Sequence, residues 1–286
     1  MLAIGFIGAG TVGTALAIRL AQQGYQITAV YSRSLTSAER LAERVSSCRI
    51  CKVPQEVADA TQLVFITTPD DAIPYVAAEV KWHQGQNIIH CSGADSVSIL
   101  EPARRYGANT GCFHPLQTFA SVEKAINTLP GSTFALEAEE PLLATLKEIA
   151  TALGGSWIVL KASDKVMYHA AAVFACNYLV TLVKLATDLW QTFGISQNKA
   201  TKALMPLLRG TMGNIEDIGL PNCLTGPIAR GDLGTISKHL EALERGIPSL
   251  LETYKELGLQ TIPVALAKGR IDTEIAGELQ TILKKN

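Results

Sequence analysis

The sequence predicts an α/β domain with a doubly wound, mostly parallel sheet, followed by an all-α domain. Over residues 1–162, short apolar runs alternate with helical patterns, which is typical of successive strand–helix units. Over residues 163–286, apolar residues follow helical spacing and no strand-like alternation occurs. The length of 286 residues fits two domains of ordinary size. We therefore place the domain boundary between residues 162 and 163.

These patterns place the elements in chain order. In the first domain, strands are expected at 2–7, 27–31, 63–67, 87–91, 111–113, 132–136 and 156–160, with helices at 11–23, 37–46 and 141–153. In the second, helices are expected at 165–193, 197–208, 235–243, 248–256, 261–267 and 273–284. Residues 210–232 are rich in Gly, Pro and Asn, which predicts a long loop.

Composition excludes several classes of protein. With 25 basic and 26 acidic residues, the chain lacks the basic excess of a nucleic-acid binder. Its 48% hydrophobic content excludes wholesale disorder. The N-terminus lacks the features of a signal peptide, and six cysteines form no small-domain disulfide framework, so we expect a cytoplasmic protein. Cys48 and Cys51 form a CxxC pair with no second pair to complete a zinc site, so we expect incidental cysteines at a strand and no metal. The alternative is a redox or metal-binding role.

One apolar stretch, residues 166–183, is compatible with a membrane span. Residues 166–183 carry no formal charge if His169 is neutral, and 18 residues is near the lower limit for a membrane span. Polar side chains within the stretch, such as Asn177, would be costly in lipid. A buried helix of a protein that does not enter the membrane is therefore the preferred interpretation, and purification without detergent would exclude a membrane anchor.

A glycine motif directly follows the first strand-like run and opens the first helix. Gly8 permits a tight turn, Gly10 lets a pyrophosphate approach the backbone, and Gly13 allows close packing of helix on strand. The helix N-terminus offers free N–H groups to phosphate. In this context the motif predicts a Rossmann dinucleotide-binding site. Its residues are Gly8, Ala9, Gly10, Thr11, Val12 and Gly13.

The end of the second strand indicates which dinucleotide is bound. A site for NAD would place Asp or Glu there to bond the ribose 2′-hydroxyl. This chain has Ser32, Arg33 and Ser34 instead. A guanidinium flanked by hydroxyls suits a 2′-phosphate, and no carboxylate is present to repel it. The cofactor predicted is NADP(H); the alternative is that Arg33 is a solvated loop residue.

Ligands of such sheets bind outside the carboxyl ends of the strands, so the loops there are further candidates. Thr67, Thr68 and Pro69 follow one strand, and their backbone is expected to line the nicotinamide side of the cofactor. Asp70 and Asp71 come next and are more simply explained as partners of a helix dipole.

Candidate catalytic residues follow from the needs of hydride transfer, which requires a proton donor or a cation beside the atom that gains charge. Lys165 and His169 lie four apart on one face of the long helix, and Asn177 lies about two turns further on. Ser92 and His114 follow two predicted strands. We predict catalytic roles for His114, Lys165 and His169, and contacts to substrate for Ser92 and Asn177, with Ser92 also able to contact the cofactor. The alternatives are a structural hydrogen bond at His114, a Lys165 that extends to solvent, and hydrogen bonds between helices.

The loop 225–232 is the other polar concentration in the second half. Arg230 could bind a substrate carboxylate bidentately. Asp232 is placed to cap the helix that follows.

Several segments together resemble a known family. The GAGTVG loop and the SRS that follows resemble the Rossmann domain of deazaflavin-dependent NADP oxidoreductases and pyrroline-5-carboxylate reductases. Four further segments are similar to Rossmann-like proteins with a C-terminal helical domain of unknown function, a family placed with the 6-phosphogluconate-dehydrogenase-like enzymes. They are CSGA at 91–94, GCFHPLQTF at 111–119, YHAA at 168–171 and TGP at 225–227. The resemblance spans nearly the whole chain and implies an NADP-dependent oxidoreductase.

Related β-hydroxyacid dehydrogenases use a Lys-x-x-x-Asn pair at the start of the corresponding helix. Here the same spacing gives Lys165 and His169, so histidine replaces the asparagine. The resemblance is compatible with reduction of another carbonyl or imine, or with lost activity. In such relatives the long helix packs against its twin from a second subunit, which implies a homodimer through the helical domain.

Residues and resemblance together predict an NADP(H)-dependent oxidoreductase that transfers a hydride between NADPH and a small carbonyl or imine substrate at the inter-domain cleft. The alternative is a non-catalytic NADP(H)-binding sensor or interaction protein.

Overall fold

The computed structural model describes residues 2–285. The chain divides into two compact units, the first ending at Cys176 and the second beginning at Asn177. The boundary predicted from the sequence falls in the short 3₁₀ turn Ala162–Asp164, which precedes the long helix. By compactness, the first part of that helix therefore belongs with the sheet.

The first unit is built on one sheet. Within residues 2–285 its eight strands are β1 (Ala3–Ile7), β2 (Gln26–Tyr31), β3 (Arg49–Ile50), β4 (Leu63–Ile66), β5 (Asn87–His90), β6 (Asn109–Leu116), β7 (Thr133–Ala138) and β8 (Ser156–Val159). Their order is β3-β2-β1-β4-β5-β6-β7-β8, and all neighbours are parallel except β6 and β7. The predicted doubly wound, mostly parallel sheet is confirmed.

Helices cover the sheet, which is why its central strands read as continuous apolar runs. They are α1 (Thr11–Gln22), α2 (Leu35–Arg44), α3 (Pro54–Ala60), α4 (Ile73–Glu79), α5 (Glu101–Arg104), α6 (Val122–Thr128), α7 (Leu142–Ala152) and α8 (Lys165–Ala172). The strand order reverses between β1 and β4, and the carboxyl ends of β1, β2, β4, β5 and β6 share one edge of the sheet. A crevice outside this edge is where such folds bind ligands.

A row of four phenylalanines forms part of the core on one side of the sheet. Phe6 stacks on Phe65 with ring centroids 5.2 Å apart, and Phe113 lies between Phe65 and Phe134 at 5.8 and 4.6 Å. All four side chains are fully buried. The row extends from β1 to β7 and so connects the strands that carry the site.

Every regular element among the described residues of the second unit is a helix, as predicted. Its helices are α9 (Tyr178–Gln191), α10 (Gln197–Ile218), α11 (Leu233–Gly246), α12 (Leu251–Ala267) and α13 (Thr273–Lys284). A π-helical turn, Val173–Asn177, joins α8 to α9. Ile236, Ile262, Leu279 and Leu283 form the centre of a small core of this unit.

Two predictions for the helical half are wrong. Residues 210–218 continue α10 instead of forming a loop, because Leu208, Met212 and Ile215 keep helical spacing through Gly210 and Gly213. The helices predicted at 248–256 and 261–267 are one helix, α12, preceded by a 3₁₀ turn. A Cβ at Gly258 would lie 3.0 Å from Leu283, so this glycine serves close packing on α13 and does not end the helix.

The short strand β3 agrees with the placement of the cysteine pair at a strand, although its bounds were not predicted. It has two residues and lies between Cys48 and Cys51, where it pairs with β2. Both cysteines are buried free thiols, and burial raises their pKa values, that of Cys48 to about 12. Thiols with raised pKa values are poor nucleophiles.

One helix of the described residues, Ala162–Gln191, is long and apolar enough to cross a membrane by length and composition alone. The burial expected for it is not found within the single chain. Met167 is 74% exposed and Val180 is 69% exposed, and Val166 is exposed as well. An apolar helix face of this kind is usually buried against another surface, and the described residues of this chain do not bury it.

Substitution Phe113→Ala tests the phenylalanine row. We expect the free energy of unfolding to fall by about 3–5 kcal/mol, because a large cavity would open between the buried rings of Phe65 and Phe134. Urea denaturation followed by circular dichroism measures the loss. Phe193→Ala removes the same atoms from a side chain that is 63% exposed, and a loss below about 1 kcal/mol is expected there. Equal losses would contradict a core role for the row.

Candidate cofactor and active site

The loop between β1 and α1 has the geometry of a phosphate-binding turn. Gly8 has φ +110°, and a Cβ there would lie 2.6 Å from the carbonyl carbon of Thr67. A Cβ at Gly13 would overlap the Thr67 hydroxyl and lie 2.6 Å from the carbonyl oxygen of Gly8. The Thr67 hydroxyl donates to that oxygen at 2.7 Å, so the two loops are fixed together. Gly10, in contrast, faces open space and caps α1 without a side chain.

A groove of about 460 Å³ lies at the reversal point between β1 and β4. It brings together nine of the predicted cofactor residues: Gly8, Ala9, Gly10, Ser32, Arg33, Ser34, Thr67, Thr68 and Pro69. Thr11, Val12 and Gly13 form the first turn of α1, and Thr11 lines an adjoining cavity. The Thr68 hydroxyl is buried and has no hydrogen-bond partner within the described residues.

The end of β2 presents positive charge that the chain does not neutralise. Arg33 is exposed, and no hydrogen bond or ion pair within residues 2–285 engages it. The Ser34 hydroxyl caps α2 by accepting from the Ser37 N–H at 3.3 Å. The Arg40 guanidinium donates to the Ser37 hydroxyl at 3.1 Å. Sequence reasoning missed Ser37 and Arg40, although Ser37 lies three residues after Ser34 and Arg40 three after Ser37, a spacing that makes successive side chains neighbours at the start of α2.

These features fit NADP(H). The bare backbone at Gly10 leaves room for a pyrophosphate at the N-terminus of α1, and the unpartnered Thr68 hydroxyl faces a polar ligand without competition. Arg33 and Arg40 flank the N-terminus of α2, where a 2′-phosphate gains both charge and free N–H groups.

The loop after β5 is fixed by the Ser92 side chain. Ser92 is buried, and its hydroxyl lies 2.8 Å from a carboxylate oxygen of Asp70 and 2.9 Å from one of Asp95. It also accepts from the Asp95 N–H at 3.1 Å. The hydroxyl predicted to contact substrate or cofactor is therefore occupied by protein groups. Asp70, expected only to partner a helix dipole, holds this loop to the one after β4.

Lys165 begins α8 and is buried, with 1% of its surface exposed. Its ammonium donates to the Ser92 carbonyl oxygen at 3.0 Å and to the Cys112 sulfur at 2.9 Å. Burial raises the pKa of the Cys112 thiol to about 11, although the nearby Lys165 lowers it. Glu137, which pairs with Cys112 across β6 and β7, is also mostly buried, and burial raises its pKa.

One turn further along α8, two side chains meet His114, which lies within β6 and not after the strand as predicted. The Tyr168 hydroxyl lies 2.7 Å from Nδ1 of His114, and the His169 ring lies 6.3 Å from the His114 ring. Burial lowers the pKa of His114 to about 4, with further lowering from Lys165 and His169, so its ring is neutral at pH 7. Burial also raises the pKa of the Tyr168 hydroxyl. His169 is partly exposed and has no hydrogen bond within the described residues.

Two further residues support this cluster and were missed by sequence reasoning. A Cβ at Gly93 would lie 2.6 Å from the His169 ring and 2.8 Å from Nε2 of His114, so both rings rest on a bare backbone. His90 is fully buried and accepts from the Ser92 N–H at 3.2 Å. Burial lowers the pKa of His90 to about 3, with further lowering from Lys165 and His114, while a hydrogen bond to the Ser96 backbone acts in the opposite direction.

The structure brings the predicted residues Ser92, His114, Lys165 and His169 together in the first unit. Asn177 and Arg230 belong to the second unit. Asn177 is exposed, and Arg230 lines a cavity formed by its own unit. Asp232 caps α11 as predicted, accepting from the Thr235 N–H at 3.0 Å.

Two domain families match the chain. A Rossmann-like domain matches residues 1–115, and a domain of unknown function, DUF2520, matches residues 132–261. The chain thus matches a Rossmann-like domain in its first part and a DUF2520 domain in its later part. The second match begins beside β7, so that domain contributes the last two strands of the sheet as well as helices.

Solved structures of similar fold cover almost the whole chain. A candidate NADP oxidoreductase from Bacteroides fragilis is 26% identical, with a TM-score of 0.74 over 92% of this chain and 98% of that chain. A Thermotoga maritima protein is 25% identical, with a TM-score of 0.67 over 98% of both chains. A reductive aminase from Aspergillus terreus, solved with NADPH and ethyl levulinate, is 19% identical, with a TM-score of 0.67 over 98% and 99%. No curated protein matches the sequence.

These comparisons confirm the predicted resemblance and fold class. Pyrroline-5-carboxylate reductases from Coxiella burnetii and Streptococcus pyogenes share the fold at 17% and 18% identity. The similar structures include NADPH complexes, in agreement with the predicted cofactor. The chain is thus similar to NADP(H)-dependent oxidoreductases.

Two glycine substitutions separate folding from cofactor binding. Gly13→Ala should destabilise the protein by about 1–3 kcal/mol, because the new methyl group overlaps Thr67 and the Gly8 carbonyl. Gly10→Ala should leave the melting temperature nearly unchanged but weaken NADPH binding by about tenfold or more, since its methyl group points into open space. Thermal melts and NADPH fluorescence titrations measure both effects. Undiminished NADPH affinity in Gly10→Ala would argue against a pyrophosphate at this loop.

Proposed function

We propose that this protein is an NADP(H)-dependent oxidoreductase that transfers a hydride between the nicotinamide and a small carbonyl or imine compound. The observation that carries the proposal is that the groove and the imidazole cluster lie at the same edge of one sheet. The groove opens at β1, β2 and β4, and the cluster lies at the ends of the adjacent strands β5 and β6. A cofactor held along the groove would have its reactive end beside titratable side chains.

The residues of the first unit would have separate roles in cofactor binding and proton transfer. Gly10 and the N-terminus of α1 would hold the pyrophosphate, and Arg33 and Arg40 the 2′-phosphate. Bound NADPH would supply the hydride. His169 would supply or accept the proton at the substrate oxygen or nitrogen, because its ring is partly exposed and free of protein hydrogen bonds within the described residues.

His114 and Lys165 would act differently from His169. The lowered pKa of His114 keeps its ring neutral, so it would orient the Tyr168 hydroxyl instead of delivering a charge. Lys165 has no access to a substrate, and we assign it a positioning role: its ammonium holds the Ser92 carbonyl and the loop beneath the two imidazoles. Contacts of Asn177 and Arg230 with substrate remain a prediction from the sequence.

The burial of Lys165 also favours the second candidate function, a non-catalytic NADP(H) sensor, because a sealed lysine cannot act on substrate. Turnover distinguishes the two. The substrate panel should contain small ketones with and without amines, and cyclic imines. Oxidation of NADPH with at least one of them supports the enzyme, whereas tight NADPH binding without turnover of any supports the sensor.

Arg33→Asp tests the cofactor assignment. The substitution replaces a cation with an anion, so NADPH affinity should fall by roughly 10- to 100-fold while NADH affinity changes little. Fluorescence titration with each nucleotide measures the two affinities. Arg105→Asp makes the same charge change on α5, away from the groove, and should affect neither. Equal losses for both nucleotides in Arg33→Asp would refute a 2′-phosphate contact.

His169→Gln tests the proton donor. The kcat should fall by about 10²–10⁴-fold because glutamine cannot transfer a proton, while the Kd for NADPH stays the same. His83→Gln removes an exposed histidine paired with Asp59 and serves as the matched control. Full activity of His169→Gln on a substrate that the wild type turns over would exclude this role.

We further propose a homodimer through the helical domain, in a reducing, cytoplasmic setting. Its support is the uncovered apolar face of the long helix together with exposed Leu207, Met212 and Ile215 on α10. A second copy of the chain could cover both. All six cysteines are free thiols, which suits a reducing compartment.

Light scattering after size exclusion tests the dimer. The wild type should have twice the 30.6 kDa mass of one chain. Val180→Glu should shift the protein toward the single-chain mass, because a charge would be buried in the interface. Val53→Glu, at an exposed position of the first unit, should not. A wild type of 30.6 kDa would overturn the proposal.

A further inference from the structure

The helical unit contains a cavity of its own, separate from the cofactor groove and the imidazole cluster of the first unit. It has a volume of about 430 Å³ and lies between the loop around the 3₁₀ turn Ile228–Arg230 and the C-terminal end of α12. We call it the cationic cavity and define it by Thr225, Gly226, Ala229, Arg230, Lys268 and Arg270. Three of these six residues carry a positive charge.

The two walls of the cationic cavity are fixed to each other. The Lys268 ammonium donates to the Leu224 carbonyl oxygen at 2.6 Å, which connects the end of α12 to the start of the loop. Gly231 has φ +66°, and a Cβ there would lie 2.6 Å from Ile275 of α13, so the other end of the loop is packed as well. Both ends of the loop that forms the cavity are therefore held by contacts with α12 and α13.

Two of the three positive charges of the cationic cavity have no carboxylate partner among the described residues. Lys268 and Arg270 have no carboxylate within ion-pair distance among the described residues, and the Asp232 carboxylate lies 3.7 Å from Arg230. That carboxylate already accepts from the Thr235 N–H and hydroxyl at 3.0 and 2.8 Å. Asp272, two residues beyond Arg270, is likewise occupied in capping α13. The nearest acids thus serve helix N-termini.

Helix-dipole effects explain only part of this arrangement. Lys268 is the C-cap of α12, where the helix dipole favours a cation. Arg230 comes from a different segment, yet lines the same cavity. The Thr225 and Gly226 N–H groups donate no hydrogen bond within residues 2–285, and a Cβ at Gly226 would meet open space. Free backbone donors beside convergent cations are typical of an anion site.

We propose that the cationic cavity binds a compact dianion, either a phosphate group or a dicarboxylate. Two guanidinium groups can each bind two oxygens of such a group, and the Lys268 ammonium adds a point charge. A single carboxylate would leave most of the charge unmatched. The proposal concerns the helical unit alone and does not depend on the oxidoreductase activity proposed above.

Isothermal titration of the full chain tests the site, with inorganic phosphate and succinate as the two probes and acetate as the monovalent control, at constant ionic strength. We expect at least one dianion to bind with a Kd of about 1 mM or tighter, and acetate to bind at least tenfold more weakly. Whichever dianion binds more tightly identifies the source of the group. Failure of both dianions to bind would overturn the proposal.

Arg270→Gln locates the binding. The affinity for the preferred dianion should fall by roughly tenfold or more, because a charge-assisted contact is lost. Arg245→Gln removes an exposed arginine of α11 that pairs with Glu241 outside the cavity, and should change the affinity less than twofold. Equal losses in the two variants would mean that only overall charge matters, and the site would be refuted.

The cofactor groove needs its own control, because phosphate could bind there too. Arg33→Gln should leave dianion binding intact, and Arg270→Gln should leave NADPH affinity intact. Loss of dianion binding in Arg33→Gln but not in Arg270→Gln would assign the anion to the groove and overturn the proposal. Absence of NADPH binding in the wild type would refute the oxidoreductase and leave the anion site standing.

Discussion

The buried ammonium of Lys165 is the interaction on which the candidate active site depends. A charge removed from water is tolerated only where hydrogen-bond acceptors surround it, and here the Ser92 carbonyl and the Cys112 sulfur are those acceptors. This contact fixes the start of α8 against the ends of β5 and β6. Because Tyr168 and His169 follow within one turn, their positions over Gly93 and beside His114 are set by the same contact. The Ser92 hydroxyl then extends the connection to Asp70 at the end of β4.

The Rossmann half of the fold could be predicted well because its signals are local. The strand before Gly8, the glycine spacing and the Ser-Arg-Ser after β2 each report on neighbouring residues, and the groove contains nearly all of them. The bounds of the two-residue β3 could not be predicted, because so short a strand has no periodicity and is defined by its pairing with β2. In the helical half, Gly210 and Gly213 led to the prediction of a loop. The structure has a helix there, because the apolar side chains around these glycines keep helical spacing.

The candidate catalytic residues were only partly predictable, for a physical reason. Strand ends and helix spacing correctly placed His114 and His169 near each other. Spacing cannot tell an exposed lysine from a buried one, so the sealed environment of Lys165 became evident only in three dimensions. Two further features arise from contacts between segments that are distant in sequence. They are the absence of a side chain at Gly93 and the burial of the His90 ring. No sequence pattern in a single chain carries that information.

The two neutral imidazoles of the first unit also limit the conditions in which it can stay folded. Burial holds the pKa values of His90 and His114 near 3 and 4, below the 6.5 of a free imidazole. Below pH 6.5 the unfolded chain takes up protons that the folded chain cannot. Each ring then removes up to about 1.4 kcal/mol of stability per pH unit until its folded-state pKa is reached. Above pH 6.5 the full contribution is present. The unit is therefore intrinsically labile to acid, and a mildly acidic organelle or storage buffer would shorten its lifetime even with every catalytic group intact.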